Sequence, residues 1–432
     1  MSRWRNWSGV IVCTPRRLAI PADEAELAAI ILAAREAGEC VRPVGAGHSF
    51  TPLCATDGVQ VSVSRFTGLR LVDQATGRVR VGAGTRLGEL GAALHDHGLA
   101  MPNLGDIDVQ CLAGALATGT HGTGVAFGNL ATQVTGMRLV GADGQARWCS
   151  ADNHADIFHA GRIHLGALGV VTEVELACVP TYRLHYRSGR IGWDDMLAGL
   201  EARRATHRNV EYYWFPYTDT VQLKTMDETR ESPRGGGRWR RWQDLLVENG
   251  GLWVLSRLAR ARPASCPRLN RIAAAGVPRH DQIAPAHAAY ATARLVRFNE
   301  TEYSLPRAAL PEVLRAIRTV IERDRFATNF PLEIRDAAAD DVPLSPAYGR
   351  DSAYIAAHVH ARMPFTDYFT ALGEIFRDHG GRPHWGKWHD EDAGRLASRY
   401  PAWRDFEAVR KRLDPDGVFL NPHLYRVLVG SG

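Results

Sequence analysis

Two glycine-rich segments in the first 180 residues restrict what this chain can fold into. One runs from Arg42 to Ser49 with the sequence RPVGAGHS, in which the loop from Gly45 to Ser49 directly follows a short strand predicted from Val41 to Val44. The other runs from Gly114 to Gly124 with the sequence GALATGTHGTG. Glycines after a strand expose backbone N–H groups in a concave array, which suits a phosphate or a flat ring. Each segment alone is also compatible with a turn that binds nothing.

The surrounding pattern predicts short strands and helices in alternation. Apolar residues recur with helical spacing from Asp23 to Ala37 and again from Leu87 to His97. An alternating pattern around Asp143-Gly144 predicts a hairpin from Val134 to Cys149. The first glycine segment has no third glycine that opens a helix, so it does not match the Rossmann fingerprint. We therefore expect a mixed domain that brings its backbone close to a ligand in another way.

Length and composition fit a globular protein of two domains. The chain has 432 residues, 45% hydrophobic and 23% charged, with a net charge of +5. This charge is too small to indicate nucleic acid, so no such partner is expected. The seven cysteines are scattered and never spaced as C-x-x-C, which argues against a disulfide framework or a zinc site. No long apolar run and no signal-peptide core occur, so we expect a cytoplasmic protein.

Two predicted strands place charged and imidazole groups side by side. Glu333 and Arg335 lie at positions i and i+2, and therefore on the same face of their strand. A carboxylate beside a guanidinium can bind a polyol and stabilise an oxyanion, although a surface ion pair is the commoner reason for this spacing. His358 and His360 repeat the spacing on a second strand, where a half-exposed strand face is the alternative.

The segment from Arg382 to His389, with the sequence RPHWGKWH, carries two tryptophans, two histidines and a lysine between glycine and proline. Lys387 could polarise an alkoxide or bind the carbonyl of a flavin. His384 and His389 are five residues apart with no H-E-x-x-H motif nearby, so no metal is expected here.

The segment from Arg230 to Arg271 differs from the rest in charge. It contains ten arginines and three acidic residues, which flank an apolar stretch from Leu245 to Leu255. Two interpretations remain open. The segment is either a solvated insertion packed partly on the second domain or a basic amphipathic segment on an anionic membrane surface.

Taken in this order, the segments resemble the vanillyl-alcohol oxidase family of flavoproteins, which combine a PCMH-type FAD-binding domain with a cap domain. The resemblance is stronger to the sugar branch, the aldonolactone and alditol oxidases. It extends over nearly the whole chain and is strongest over residues 41–50, 103–124, 332–360 and 382–389. RFNETEYSLP, from Arg297 to Pro306, and FLNPHL, from Phe419 to Leu424, are also similar to segments of these oxidases.

The resemblance implies an α+β fold of two domains. The expected FAD-binding domain covers residues 1–180, and the expected cap or substrate domain covers 181–385 with the arginine-rich insertion at about 230–271. A C-terminal segment, 386–432, is expected to return to the FAD site. The resemblance further implies that FAD is bonded covalently, through its 8α-methyl carbon, to His48.

Roles for individual residues follow from the same resemblance. It implies that the cofactor is contacted by Pro43, Val44, Gly45, Ala46, Gly47, His48, Ser49, Gly105, Ala113, Gly114, Thr118, Gly119, Thr120, His121, Val170, Val171 and His384. It implies that the substrate is bound and activated by Glu333, Arg335, Lys387 and His358, with Asp106 and His360 as further substrate contacts.

The implied reaction is oxidation of a sugar-derived aldono-1,4-lactone at its C2 hydroxyl, with electrons passing to oxygen to give hydrogen peroxide. Alditol oxidases have a threonine in place of His360 and a serine in place of Asp106, which favours a lactone over a polyol. Gly105 is expected to lie beside the flavin and to control access of oxygen, or else to serve a turn with positive φ. The alternatives are an alditol oxidase that acts on a terminal hydroxyl, a dehydrogenase with another acceptor, and a basic binding protein without turnover.

Overall fold

The computed structural model describes residues 3–235, 250–291 and 296–430. Much of the apolar stretch expected in the arginine-rich segment, from Leu245 to Asn249, lies outside these residues. Within the described part of the chain, no helix is both long enough and apolar enough to span a membrane.

The N-terminal region alternates short strands with helices, as its sequence pattern predicts. Its strands are β1 Trp4–Arg5, β2 Val12–Cys13, β3 Arg17–Ala19, β4 Val41–Val44, β5 Val59–Ser62, β6 Leu69–Asp73, β7 Arg78–Gly82, β8 Leu99–Ala100, β9 Val134–Val140, β10 Ala146–Ser150, β11 Val170–Ala177 and β12 Val179–Pro180. Its helices are α1 Glu24–Glu36, α2 Leu87–Asp96, α3 Leu112–Ala117 and α4 Ala155–Gly161, with a 3-10 turn at Leu130–Gln133.

Two sheets make up most of this region. Strands β3, β5 and β4 pair in parallel, and strands β10, β9, β11, β7 and β6 form an antiparallel sheet in that order. Helix α1 begins where the carboxylate of Asp23 accepts a hydrogen bond from the backbone N–H of Glu26 at 2.8 Å. Its residues Leu27 and Ile31 are fully buried against strands of both sheets. Helix α1 therefore fixes the position of β4, after which the loop of the first glycine segment begins at Gly45.

The second region is built around one large antiparallel sheet. Its elements are β13 Arg183–Gly192, α5 Trp193–Ala198, α6 Leu200–Thr206, β14 Asn209–Trp214, β15 Thr220–Thr229, α7 Gly250–Ala261, α8 Cys266–Ala275, β16 His280–Pro285, α9 Ala286–Tyr290, β17 Phe298–Pro306, α10 Leu310–Asp324, β18 Leu332–Ala337, β19 Ser352–His360, α11 Thr366–Asp378 and β20 Arg382–Pro383. The eight strands are ordered β16-β13-β15-β14-β18-β19-β17-β20.

Strand register in the large sheet brings polar residues from distant parts of the chain together. Glu333 on β18 is opposite Tyr213 on β14, and Glu300 on β17 is opposite His358 on β19. Directly opposite residues in a sheet are close neighbours, so these four side chains share one area of it. One apolar face of the sheet is closed by α10 and α11, whose Ile317 and Phe369 are fully buried.

The last part of the chain packs back onto the N-terminal region. It contains α12 Ala393–Ala397, α13 Trp403–Leu413 and α14 Pro422–Leu424, followed by a π-helical turn at Tyr425–Val429. The backbone N–H of Val41 donates to the carbonyl of Val418 at 2.8 Å. Buried Arg42 donates to the carbonyls of Leu53 at 2.7 Å and Phe419. The domain boundaries expected at residues 180 and 385 stay a prediction.

Candidate functional site

Two adjoining cavities lie along the glycine segments and the large sheet. The first has a volume of about 710 Å³ and the second about 570 Å³, and Ser49 and Thr118 line both. The lining of the first includes His48, Gly105, Asp106, Thr120, His121, Glu333, Arg335, His358, His384 and Lys387. The lining of the second includes Pro43, Val44, Gly45, Ala113, Gly114, Val170 and Val171. Most side chains that the sequence singled out therefore meet around one continuous space.

The first glycine segment needs glycine for two physical reasons. A Cβ atom at Gly45 would lie only 3.0 Å from the Cβ atom of Cys111. Gly47 has a φ of +67°, which disfavours any residue with a side chain. Ala46 and Gly47 lie outside the cavity linings, so their part in the site is to shape the loop that presents His48.

The imidazole of His48 lies at the wall of the first cavity. It stacks on the indole of Trp7, with ring centroids 5.3 Å apart, and its Nδ1 atom is buried without a hydrogen-bond partner among the described residues. Burial lowers the pKa of His48, and the nearby cations of Lys387 and Arg86 lower it further. The backbone of Ala46 acts in the opposite direction but does not outweigh them. The ring is therefore neutral near pH 7, with a nitrogen lone pair available.

The second glycine segment begins within helix α3 and brings His121 to the same cavity. The Thr118 hydroxyl donates to the carbonyl of Gly114 at 3.0 Å, and Gly119 turns the chain with a φ of +74°. Gly119 itself lies outside the cavity linings. Nε2 of His121 lies 3.1 Å from Oε1 of Glu302. The ring is thus held by a buried carboxylate from the large sheet.

Glu333 and Arg335 form a buried pair, not the surface ion pair that their spacing would also allow. Nη2 of Arg335 is 2.6 Å from Oε1 of Glu333; Arg335 is 9% exposed and Glu333 is 2% exposed. Burial works to lower the pKa of Arg335, but the carboxylates of Glu333 and Asp106 outweigh it and hold the pKa well above its ordinary value. A fixed cation therefore faces the cavity.

Lys387 brings a second cation to the opposite part of the cavity. Its Nζ atom is 2.5 Å from Oε2 of Glu300 and 4.0 Å from Oε2 of Glu302. Burial works to raise the pKa of Glu300, but Lys387 and His358 lower it to about 2. The carboxylate is thus ionised at every pH at which the protein is used, and it holds the ammonium group at the cavity wall.

Two histidines complete this wall. Nε2 of His358 lies 3.5 Å from Oε1 of Glu300 and 3.9 Å from Oε2 of Glu333, between the two carboxylates. Burial lowers the pKa of His384 to about 3, and its Nδ1 atom accepts a hydrogen bond from the backbone N–H of Gly386 at 3.0 Å. His384 is therefore a neutral ring that presents an Nε2–H group.

Behind Asp106 and Glu333 lies a cluster of polar groups that the sequence did not indicate. The phenolic oxygen of Tyr213 is 2.7 Å from Glu333, 3.1 Å from Asp106 and 3.3 Å from Glu211. Burial and the charge of Asp106 raise the pKa of Glu211 to about 8, although Lys224 and Arg335 act against the shift. One phenol has only one hydrogen to donate, so a protonated Glu211 can donate to the phenol in turn.

His360 does not line either cavity, and its expected contact with the substrate stays a prediction. It is the last residue of strand β19, and the chain turns there, since the backbone N–H of Met363 donates to its carbonyl. Its Nδ1 atom accepts a hydrogen bond from the backbone N–H of Arg362 at 3.3 Å.

Glu300 and Glu302 line the cavity but had no role assigned from the sequence. Their own i, i+2 spacing within Arg297 to Pro306 was the available signal, since it places both carboxylates on one face of β17. Trp7 and Phe298, which also line the cavity, carried no comparable signal.

Two groups of three buried side chains approach each other as closely as metal ligands do. The groups are His121, Glu302 and His384, and Asp106, Glu211 and Glu333, with ligand atoms within 4.8 Å of one another. The hydrogen bond between His121 and Glu302 and the pairing of Glu333 with Arg335 and Tyr213 already use these atoms. We therefore interpret both groups as hydrogen-bonded networks.

Comparison with known proteins extends over the whole of this architecture. A family model described as D-arabinono-1,4-lactone oxidase matches residues 174–427, and one described as an FAD binding domain matches residues 15–150. The solved structure of cholesterol oxidase from Brevibacterium sterolicum superimposes with a TM-score of 0.83, covering 99% of this chain and 96% of that chain at 19% identity. The α+β fold of the PCMH type that was expected from the sequence is confirmed.

Curated relatives match along nearly their full length. An L-gulono-1,4-lactone dehydrogenase of Mycobacterium tuberculosis is 42% identical over 98% of this chain and 99% of its own. An L-gulonolactone oxidase of Mus musculus is 30% identical over 98% of both chains, and an alditol oxidase of a Streptomyces species is 32% identical over 98% of this chain and 99% of its own. The resemblance stated from the sequence is confirmed.

Proposed function

The chain belongs to the D-arabinono-1,4-lactone oxidase family, and from this premise we propose that it oxidises the C2 hydroxyl of a sugar-derived aldono-1,4-lactone and passes the electrons to oxygen. The observation that carries the proposal is the convergence of two cations, Arg335 and Lys387, on one buried cavity that His48 also lines. The proposed site comprises the residues expected from the sequence, without His360 and with Glu300 added.

The residues present fit FAD. The two adjoining cavities share Ser49 and Thr118 in their linings, and Gly45, which lines the second, has no Cβ that would press against Cys111. Three polar atoms of the first cavity's lining are buried without a hydrogen-bond partner among the described residues: Nδ1 of His48, Oγ1 of Thr120 and Nε of Arg335. Buried polar atoms are rarely left unpaired, which supports a bound polar group in this space.

We further propose that His48 carries FAD covalently. A histidine that forms a bond to a carbon atom must offer a nitrogen lone pair, and burial keeps this imidazole neutral by lowering its pKa. The stacking of Trp7 on the ring restricts its rotation. The segment in which His48 lies is the one whose resemblance to covalent flavoproteins was noted from the sequence.

When bound, FAD supplies the acceptor for the hydride that leaves the C2 carbon of the lactone. The protein's task is to bind the hydroxyl and to remove its proton. Arg335 and Lys387 provide positive charge where the alkoxide develops, and each such donor in a dry pocket is worth about 2–4 kcal/mol. Glu333 orients Arg335 through their 2.6 Å contact.

In this proposal His358 accepts the hydroxyl proton. In the tautomer whose Nδ1–H donates to the carbonyl of Pro331 at 3.4 Å, the lone pair of Nε2 takes up this proton. The carboxylates of Glu300 and Glu333, both within 4 Å of Nε2, stabilise the imidazolium once it forms.

Oxygen as the acceptor is supported by the position of Gly105. Gly105 lines the first cavity and is not among the glycines with positive φ, so a left-handed turn does not require it. A Cβ atom there would lie 3.1 Å from the carbonyl of His121 and 3.5 Å from Cγ2 of Thr120. Little room for a methyl group therefore exists at this part of the cavity wall, and in this proposal oxygen reaches the cavity past Gly105.

Two further activities compete with this proposal. The relative named a dehydrogenase favours an acceptor other than oxygen, and the relative named alditol oxidase favours a polyol. Two residues that differ from alditol oxidases, Asp106 and His360, argue against a polyol. Only Asp106 of these two lines the first cavity.

A substrate panel tests all three activities. L-gulono-, L-galactono- and D-arabinono-1,4-lactone and xylitol are supplied in air with hydrogen peroxide as the readout, and again without oxygen with a dye or cytochrome as the acceptor. Peroxide release with a lactone is the expected result. Turnover only with the dye or cytochrome assigns a dehydrogenase, and turnover only with xylitol assigns an alditol oxidase.

A further inference from the structure

The helices α7 and α8 carry the most one-sided charge in the described chain. From Gly250 to Arg279 the sequence contains six arginines and neither aspartate nor glutamate. All six are exposed: Arg257, Arg260, Arg262, Arg268, Arg271 and Arg279. Within the described residues none of them forms a salt bridge with a carboxylate. Within residues 3–235, 250–291 and 296–430, no ion pair therefore offsets the positive charge of this surface.

The inner faces of α7 and α8 pack into the core of the second region. Ala259 and Cys266 are fully buried, and the side-chain amides of Asn329 and Asn270 donate to Ser256 Oγ at 3.0 Å and to the carbonyl of Thr328 at 2.8 Å. These contacts hold the helices against the loop that leads into β18. The contacts that hold the two helices in the fold are therefore made by their inner faces.

The outer faces are apolar as well as basic. Trp253, Val254 and Leu258 on α7 are 50%, 49% and 50% exposed, and Ile272 on α8 is 60% exposed. The three residues on α7, together with Arg257, are spaced as one side of a helix. The guanidinium of Arg257 lies 4.7 Å from the centre of the Trp253 ring. We call these five residues, with Arg268 and Arg271, the basic apolar face.

We propose that the basic apolar face binds the surface of an anionic phospholipid bilayer. Arginines pair with lipid phosphates, while tryptophan and branched aliphatic side chains enter the boundary between headgroups and acyl chains. A second copy of this chain is a poor partner, because a two-fold interface would bring the same arginines together. An acidic protein would match the charge of this face, but its acidic surface would not provide apolar contacts for the exposed apolar side chains.

Co-sedimentation of the full-length flavoprotein with vesicles tests the proposal. The vesicles are pure phosphatidylcholine or phosphatidylcholine with a third of its lipid replaced by phosphatidylglycerol, at low and high salt. One variant combines Trp253→Ser with Leu258→Ser, and another combines Arg257→Gln with Arg271→Gln. The matched control combines Leu71→Ser with Arg70→Gln, both exposed on the N-terminal region. Flavin absorbance reports that each variant is folded.

We expect the parent and the control to bind the anionic vesicles, and high salt to weaken this binding. Removal of each arginine should weaken binding about fivefold, and the apolar pair should weaken it at low and high salt alike. Absence of parent binding at low salt, or unchanged binding of the arginine variant, overturns the proposal. Parental binding by the apolar variant would show that the protein contacts the vesicles by charge alone, which overturns the proposed entry of the apolar side chains into the bilayer.

Discussion

Nζ of Lys387 lies 2.5 Å from Oε2 of Glu300, a residue that is 2% exposed and lies on β17, next to the edge strand β20 of the large sheet. The same carboxylate lies 3.5 Å from Nε2 of His358. Glu300 therefore joins a lysine from the C-terminal loop to a histidine on a neighbouring strand. Two groups with proposed roles in catalysis depend on this one side chain for their positions.

We expect Glu300→Gln to slow reduction of the enzyme by lactone while FAD content stays normal. The amide keeps the shape but loses the charge that holds Lys387 and His358. Rapid mixing with lactone in the absence of oxygen measures the rate, and a parental rate would contradict the assignment.

The stability of the Glu300→Gln variant should also be less sensitive to acid than that of the parent. The folded pKa of Glu300 is about 2 against an ordinary 4.5, so the stabilisation that its charge gives is full above about pH 4.5 and is lost as the pH falls through 2.

Arg335→Ala and Lys387→Ala should each slow reduction of the enzyme by lactone about a hundredfold, the effect of losing one donor to a developing oxyanion. Rapid mixing without oxygen isolates this step. Lys411→Ala, at an exposed lysine paired with Glu407, is the matched control and should leave the rate unchanged. Near-parental rates in both site variants would reject the proposed roles.

Covalent attachment at His48 predicts that acid-precipitated protein stays yellow and that His48→Ala does not. The alanine variant lacks the neutral nitrogen that the bond requires, so its flavin should appear in the supernatant or be absent. Absorbance of pellet and supernatant measures this. His97→Ala, at an exposed histidine, should behave like the parent. Free FAD from the precipitated parent would disprove the covalent bond.

Gly105→Ala should slow the reaction of the reduced enzyme with oxygen and leave reduction by lactone unchanged. The added methyl lies in the cavity wall, 3.1 Å from the carbonyl of His121, where little spare volume exists. Mixing reduced enzyme with oxygenated buffer measures the rate. Gly189→Ala, where a Cβ meets nothing within 4 Å, controls for the substitution itself. Equal rates in Gly105→Ala and the parent would exclude control of oxygen at this position.

Glu211→Gln should change how stability depends on pH. The folded pKa of Glu211, about 8, lies above its ordinary value of 4.5 because of burial and the charge of Asp106. A raised pKa gives stabilisation that is full below about pH 4.5 and is lost as the pH rises through 8. Glutamine cannot ionise, so the variant should gain thermal stability relative to the parent at pH 8 but not at pH 5. Thermal unfolding at both pH values measures this difference, and equal differences would contradict the raised pKa.

Much of the fold and part of the site could be predicted from local pattern. Helix α1 was predicted from Asp23 to Ala37 and is found at Glu24–Glu36, because helical spacing and an N-cap are properties of neighbouring residues. Glu333 and Arg335 were predicted to share one face because side chains alternate along any strand. The order of the segments along the chain was enough to identify the family.

The sequence by itself determined which residues share a strand face and where glycine must replace a side chain. Only the tertiary structure decided which face meets the cavity and what lies opposite. Glu300 is opposite His358 because β17 and β19 pair in one register, and Lys387 reaches Glu300 from a loop far along the chain. Such pairing depends on packing between distant segments, and local periodicity carries no information about it. For the same reason, only the assembled sheet brings His358 beside Glu333 at the cavity, whereas His360, the last residue of β19, lines neither cavity.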